Sequence, residues 1–186
     1  KAQVVNVTGN LITGGTLAIT GDSGDAVAST LNVGGNLTAG ATTLTPGAGS
    51  AILTLNGSTA QSVTAVINGN AANKGILNVS NTSGGVTFNS AIGTTNTLTS
   101  INVTTGTATF NGAIGAVAST ITGTATFGAA TAIPTVTIAA AGTATLTGVL
   151  TATTTGGGLV VNGIANINVA SQAITEIDLN TGGTIV

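Results

Sequence analysis

Apolar and polar residues alternate along this chain in short runs, from one end to the other. Gln3 to Val7, Thr16 to Thr20, Ile52 to Leu55, Ile76 to Val79, Leu98 to Val103, Thr135 to Ile138 and Ala165 to Val169 all read this way. Period-two runs rich in Val, Ile, Leu and Thr, bounded by Gly, Asn or Ser, predict β-strands. Straight-chain charged residues that favour helices are nearly absent, and Gly or Thr breaks every window. The pattern predicts an all-β protein.

The runs also repeat. Gly106-Thr107-Ala108-Thr109-Phe110 returns 17 residues later as Gly123-Thr124-Ala125-Thr126-Phe127, and 19 later again as Gly142-Thr143-Ala144-Thr145-Leu146. Phe88-Asn89-Ser90-Ala91-Ile92-Gly93 returns 22 residues on as Phe110-Asn111-Gly112-Ala113-Ile114-Gly115. Looser copies start at Leu55-Asn56-Gly57-Ser58, Phe127-Gly128-Ala129-Ala130 and Gly163-Ile164-Ala165-Asn166-Ile167. Near the start, Gly14-Gly15-Thr16-Leu17 and Gly34-Gly35-Asn36-Leu37 continue the beat, with Gly21 to Thr30 read as an inserted loop.

A strand phrase returning every 17 to 22 residues without helices between copies predicts stacked β-rungs. The variable rung length fits a right-handed parallel β-helix, a β-solenoid; a left-handed hexapeptide helix needs a strict six-residue beat. The alternative is a pilin-like β-sandwich, which would pair strands antiparallel over long range. No boundary divides the 186 residues, so one solenoid domain is expected. The start at Lys1 rather than Met reads as a processed chain or a piece of a longer surface protein.

Equivalent residues of stacked rungs lie about 4.8 Å apart. Phe88, Phe110, Phe127 and Leu146 are expected as one inward stack, with the Ala of each Thr-Ala-Thr inward beside it. Thr107 and Thr109, Thr124 and Thr126, and Thr143 and Thr145 are expected as outward ladders. Asn is expected at corners, where it tolerates left-handed backbone and stacks amides.

Composition narrows the function. Six residues are charged: Lys1, Asp22, Asp25, Lys74, Glu176 and Asp178. That is 3% of the chain, against roughly 25% in ordinary soluble domains. There is no Cys for disulfides or thiolate sites and no His for proton transfer. Two Lys and no Arg make no phosphate-binding face, so nucleic acid is not an expected partner. No unbroken apolar run is long enough for a transmembrane helix. Val, Ile and Leu are spread throughout, unlike a disordered chain.

The candidate sites are few. Gly21-Asp22-Ser23-Gly24-Asp25 offers oxygen ligands, so Asp22 and Asp25 are the candidate calcium residues; no other cofactor is expected. Glu176 and Asp178, two apart, share a face if their segment is a strand. A carbohydrate cleft around such a pair would need aromatic platforms, and the chain has no Trp or Tyr, so no enzyme is expected. A contact to Lys1 or Lys74 of a neighbouring subunit is the plainer role. In a pilin-like sandwich Lys74 would be the isopeptide donor. Asn6, Asn36, Asn56, Asn78, Asn81 and Asn102 stand in Asn-x-Ser/Thr, a density expected by chance in so Asn- and Thr-rich a chain.

Between Val63 and Gly115, the words Val66-Ile67-Asn68-Gly69, Gly75-Ile76-Leu77-Asn78-Val79, Val86-Thr87-Phe88-Asn89 and Ile101-Asn102-Val103 resemble the passenger repeats of autotransporter-type surface antigens. The nearest likeness is to the large rickettsial outer-membrane surface proteins. That resemblance implies a secreted β-helical passenger that coats the cell, adheres to a host or builds an S-layer-like coat. The sequence departs from that family in its shortness, and no C-terminal membrane barrel is expected within these 186 residues. A nearly uncharged surface has little protection against association. The expectation is a structural subunit of an extracellular bacterial surface assembly: a filament, sheath or coat grown as a homo-oligomer or polymer. Its assembly edges would be Lys1, Val4, Val5 and Val7 at one end and Ile185 and Val186 at the other, which read as strand rather than cap. The alternatives are an adhesin module binding a host surface or glycan, and an ice-binding face made by the threonine ladders.

Overall fold

The computed structural model describes residues 3–22, 24, 26–155 and 158–186. These form 24 short strands and no helix. The chain winds through about eight turns, and strands of successive turns pair in parallel to make a β-solenoid with three faces. The parallel pairing removes the sandwich alternative, since a coil that always advances in one direction lays like strand on like strand.

The first face stacks Gln3–Val7, Ser29–Val33, Ala51–Leu55, Ile76–Val79, Leu98–Val103, part of Ile114–Ile121, Thr135–Ile138, Leu159–Val161 and Ile177–Leu179. The second stacks Leu11–Ile12, Leu37–Thr38, Gln61–Val63, Val86–Phe88, Thr107–Phe110, Thr124–Phe127, Thr143–Leu146, Ile164–Ile167 and Thr184–Ile185. The third is sparser: Thr16–Thr20, Ala41–Thr45 and Val66–Gly69, then Ile92, the start of Ile114–Ile121, Thr131–Ala132, Leu150–Ala152 and Ala173–Ile174.

Alternation sends every second residue inward, and parallel register turns those residues into columns. On the first face Val5, Leu31, Leu53, Leu77, Ile101, Ser119, Val136, Leu159 and Ile177 form one column. On the second face the expected stack is present and longer than predicted: Leu11, Leu37, Val63, Phe88, Phe110, Phe127, Leu146 and Ile167. The rings of Phe88 and Phe110 lie 4.9 Å apart at 10°, and those of Phe110 and Phe127 lie 5.3 Å apart at 11°. Beside them Ala108, Ala125, Ala144 and Ala165 make the small inward column, so bulky and small residues alternate across the core.

Four expectations of register change. The beat of 17 to 22 residues holds on the second face from Phe88 onward, but Leu11, Leu37 and Val63 are 26 apart. The extra residues fill the corners between the third and first faces, such as 21–28, 46–50 and 70–75. Leu55 belongs to the first face, stacked with Val33 and Val79, and Val63 holds the slot beside Phe88. Leu37 pairs with Leu11, not with Leu17, which pairs with Thr42. Of the segment Gly21 to Thr30 expected as an inserted loop, Ser23 and Asp25 lie outside the described residues, Asp22 O accepts from Ala48 N–H of the next corner at 2.8 Å, and Ser29 and Thr30 are already strand. The last expected run is shifted, Ile164–Ile167 in place of Ala165 to Val169.

One corner between the first and second faces holds a buried polar cluster. Gln61 Oε1 accepts from Gly57 N–H and Asn81 Nδ2, both at 2.9 Å. Gln61 Nε2 donates to Val33 O at 2.9 Å and Gly35 O at 2.6 Å. Asn81 Nδ2 also donates to Thr59 O, and its Oδ1 accepts from Ser83 and Gly85 N–H. Asn81 has no exposed surface, so its Asn-x-Ser motif is closed to glycan attachment in the folded chain. Gly106 packs against this corner with φ +71°, and a Cβ there would strike the carbonyl oxygen of Asn81.

Candidate functional site

Lys1 and Asp25 lie outside the described residues. Asp22 turns on itself, its Oδ1 accepting from Gly24 N–H at 2.9 Å. Among the described residues no group of three or more His, Cys, Asp or Glu could hold a metal. Lys74 is exposed in the 70–75 corner, its N–H bonded to Thr97 O at 3.2 Å. Asp178 lies on the first face of the last rung, in a strand whose Ile177 and Leu179 continue inward columns. Glu176 precedes that strand and its carbonyl oxygen accepts from Leu159 N–H. Among the described residues no helix is long and apolar enough to cross a membrane.

Two surfaces stand out. The first is the threonine array on the second face. Thr87, Thr109, Thr126 and Thr145 form one column, and Thr107, Thr124 and Thr143 the neighbouring one. Their bases are held by the stacked Phe and Ala columns beneath, and no charged residue lies among them.

The second surface is the pair of end rungs. At the N-terminal end, Val5 and Val7 begin inward columns, no rung covers them among the described residues, and Val5 is 58% exposed. Val4 points outward, in the column of Thr30 and Ile52. The end opens into a cavity of about 260 Å³ lined in part by Val5, Leu17, Ile19 and Leu31. At the C-terminal end, Ile177 and Leu179 finish the same two columns and are 45% and 56% exposed. Ile185 finishes the alanine column over Ala165. Val186 is bonded edge to edge with the rung beneath: its N–H donates to Ala165 O and its carbonyl accepts from Ile167 N–H.

Of the residues expected at the edges, Val5, Val7 and Ile185 therefore end core columns, whereas Val4 is outward. Ile177 and Leu179 were missed. The signal for them is the Ile-Asp-Leu alternation, legible as an end strand only once Val136 to Ile138 and Leu159 to Val161 are aligned beneath it.

Comparison with protein-family models, with curated proteins and with solved structures finds no match for the chain.

Proposed function

We propose that this chain is a structural building block of an extracellular bacterial surface assembly, a filament, sheath or coat grown by stacking rung on rung. The observation that carries the reading is the pair of inward apolar columns whose first and last members are exposed among the described residues. Val5 and Val7 open one end, and Ile177 and Leu179 open the other, in the same columns. An open strand edge with apolar residues is a template for further strands. The low surface charge removes the repulsion that would keep copies apart. The resemblance to autotransporter passengers supports a place on the cell surface.

Electron microscopy and sedimentation of the purified chain test this. Filaments are expected. Val5→Lys, which sets a cation in the uncovered column, is expected to give monomers with an unchanged far-ultraviolet circular dichroism spectrum. Filaments in that variant as abundant as in the parent would count against the reading.

A second reading rests on the threonine array, a flat two-column lattice of hydroxyls and methyls suited to ordered water at an ice surface. It predicts measurable thermal hysteresis, lost in Thr109→Lys/Thr126→Lys. A parent chain without hysteresis ends that reading.

A further inference from the structure

Side-chain donors between rungs point one way in this molecule. Between described residues, side-chain amides and hydroxyls that reach a neighbouring rung donate toward the N-terminal one. Asn32 Nδ2 donates to Asn6 Oδ1 at 2.7 Å, Asn102 to Asn78 at 3.0 Å, Asn111 to Asn89 at 3.2 Å and Asn180 to Asn162 at 2.9 Å. Hydroxyls do the same: Thr104 to Val79 O, Ser119 to Ile101 O and Thr147 to Phe127 O. A stack built this way ends asymmetrically. Among the described residues, the side-chain donors of the first rung and the side-chain acceptors of the last rung face outward from the stack.

The end residues match that polarity column by column. Asn6 and Asp178 are the first and last members of one outward column, and Thr8 and Asn180 of the next. Asn6 Oδ1 is taken by Asn32, which turns Asn6 Nδ2 toward the open side.

We propose that a second copy of this chain docks head to tail in a fixed register: Val5 of one copy over Ile177 of the other, Val7 over Leu179, and Asn6 over Asp178. The Asp178 carboxylate then accepts from Asn6 Nδ2, and Asn180 Oδ1 from the Thr8 hydroxyl. This rests on the assembly reading above and supplies its geometry. The opposite arrangements fail on the same residues. Two C-terminal ends would oppose the carboxylates of the two Asp178 copies, and two N-terminal ends would oppose donors. A head-to-tail contact does not close on itself and grows a filament. It seals the first two faces; on the third, Thr16–Thr20 of one copy faces Ala173–Ile174 of the other across one open rung.

The chain has no cysteine, so a disulfide can report the register directly. Asn6→Cys and Asp178→Cys are placed in separate chains, mixed, allowed to polymerise and mildly oxidised. Stacked positions about 4.8 Å apart fall within disulfide range. The expected result is a 6–178 linked dimer from the mixture and none from either variant alone. Filaments without that link overturn the register and leave the assembly reading standing; no polymer from the parent chain overturns both. A second measurement covers cysteine variants that do not assemble. Asp178→Lys replaces the acceptor with a donor and is expected to raise the concentration needed for polymer about tenfold. Asp178→Asn keeps an acceptor and is expected to stay near the parent. A Lys variant that assembles like the parent overturns the proposal.

Discussion

Replacing Phe110 with alanine is expected to destabilise the chain by about 3–5 kcal/mol. Phe110 is fully buried and lies between two stacked rings, those of Phe88 and Phe127. Truncation leaves a cavity the size of the ring, walled by neighbours that cannot collapse because strand pairing fixes the rung spacing. It also removes two ring contacts, each worth about 0.5–1.5 kcal/mol beyond area burial. Phe88 has a ring on one side only, with Val63 on the other. Phe88→Ala should therefore cost less than Phe110→Ala by about one ring contact. Denaturant unfolding measures the totals. Amide exchange should show the loss concentrated in the rungs around Phe110, as expected where each repeat touches only its neighbours. Equal costs for the two variants would show that the stack is not what holds these rungs.

The second large effect is at Gln61. Its side chain spans three rungs inside a corner, bonding Val33 O and Gly35 O on one side and Asn81 on the other. Gln61→Ala leaves the buried Gly57 N–H and the part-buried Gly35 O without these partners. Each orphaned group costs about 1–3 kcal/mol, so a loss of about 2–5 kcal/mol is expected. Asn81→Ala should cost a similar amount, and the double variant less than the sum, because the two share a bond. Thermal unfolding of the four chains in the cycle checks it. Strict additivity would mean the cluster does not act as a unit.

Much of this was legible in the sequence, and the reasons are local. Thr-Ala-Thr-Phe states the inside and outside of a strand by itself; its three copies at close spacing give Phe110, Phe127 and Leu146, and the Phe-Asn-x-Ala-Ile-Gly repeat adds Phe88. What stayed hidden is register before Phe88. Leu11, Leu37 and Val63 fill the phenylalanine column with different side chains, since a column selects for bulk and apolarity. Corners of up to eight residues also stretch the beat there. Asn-Gly at Asn56 and at Asn111 looks like one slot because the same turn chemistry serves corners on different faces. Nothing in the sequence marks Gln61 and Asn81 as buried partners; only the coil brings them together inside. At the ends, Val4 and Val5 look alike in sequence, and which one faces the core is decided by pairing with Leu31.

The most direct test of the central claim is cryo-electron microscopy of the purified chain at neutral pH. Stacking predicts filaments with a continuous layer spacing of about 4.8 Å and a subunit repeat of roughly 40–45 Å. The layers should run unbroken from the rung of Ile177 to that of Val5 in the next copy. Dispersed rods of a single subunit length, with no end-to-end contact at any protein concentration, would contradict it.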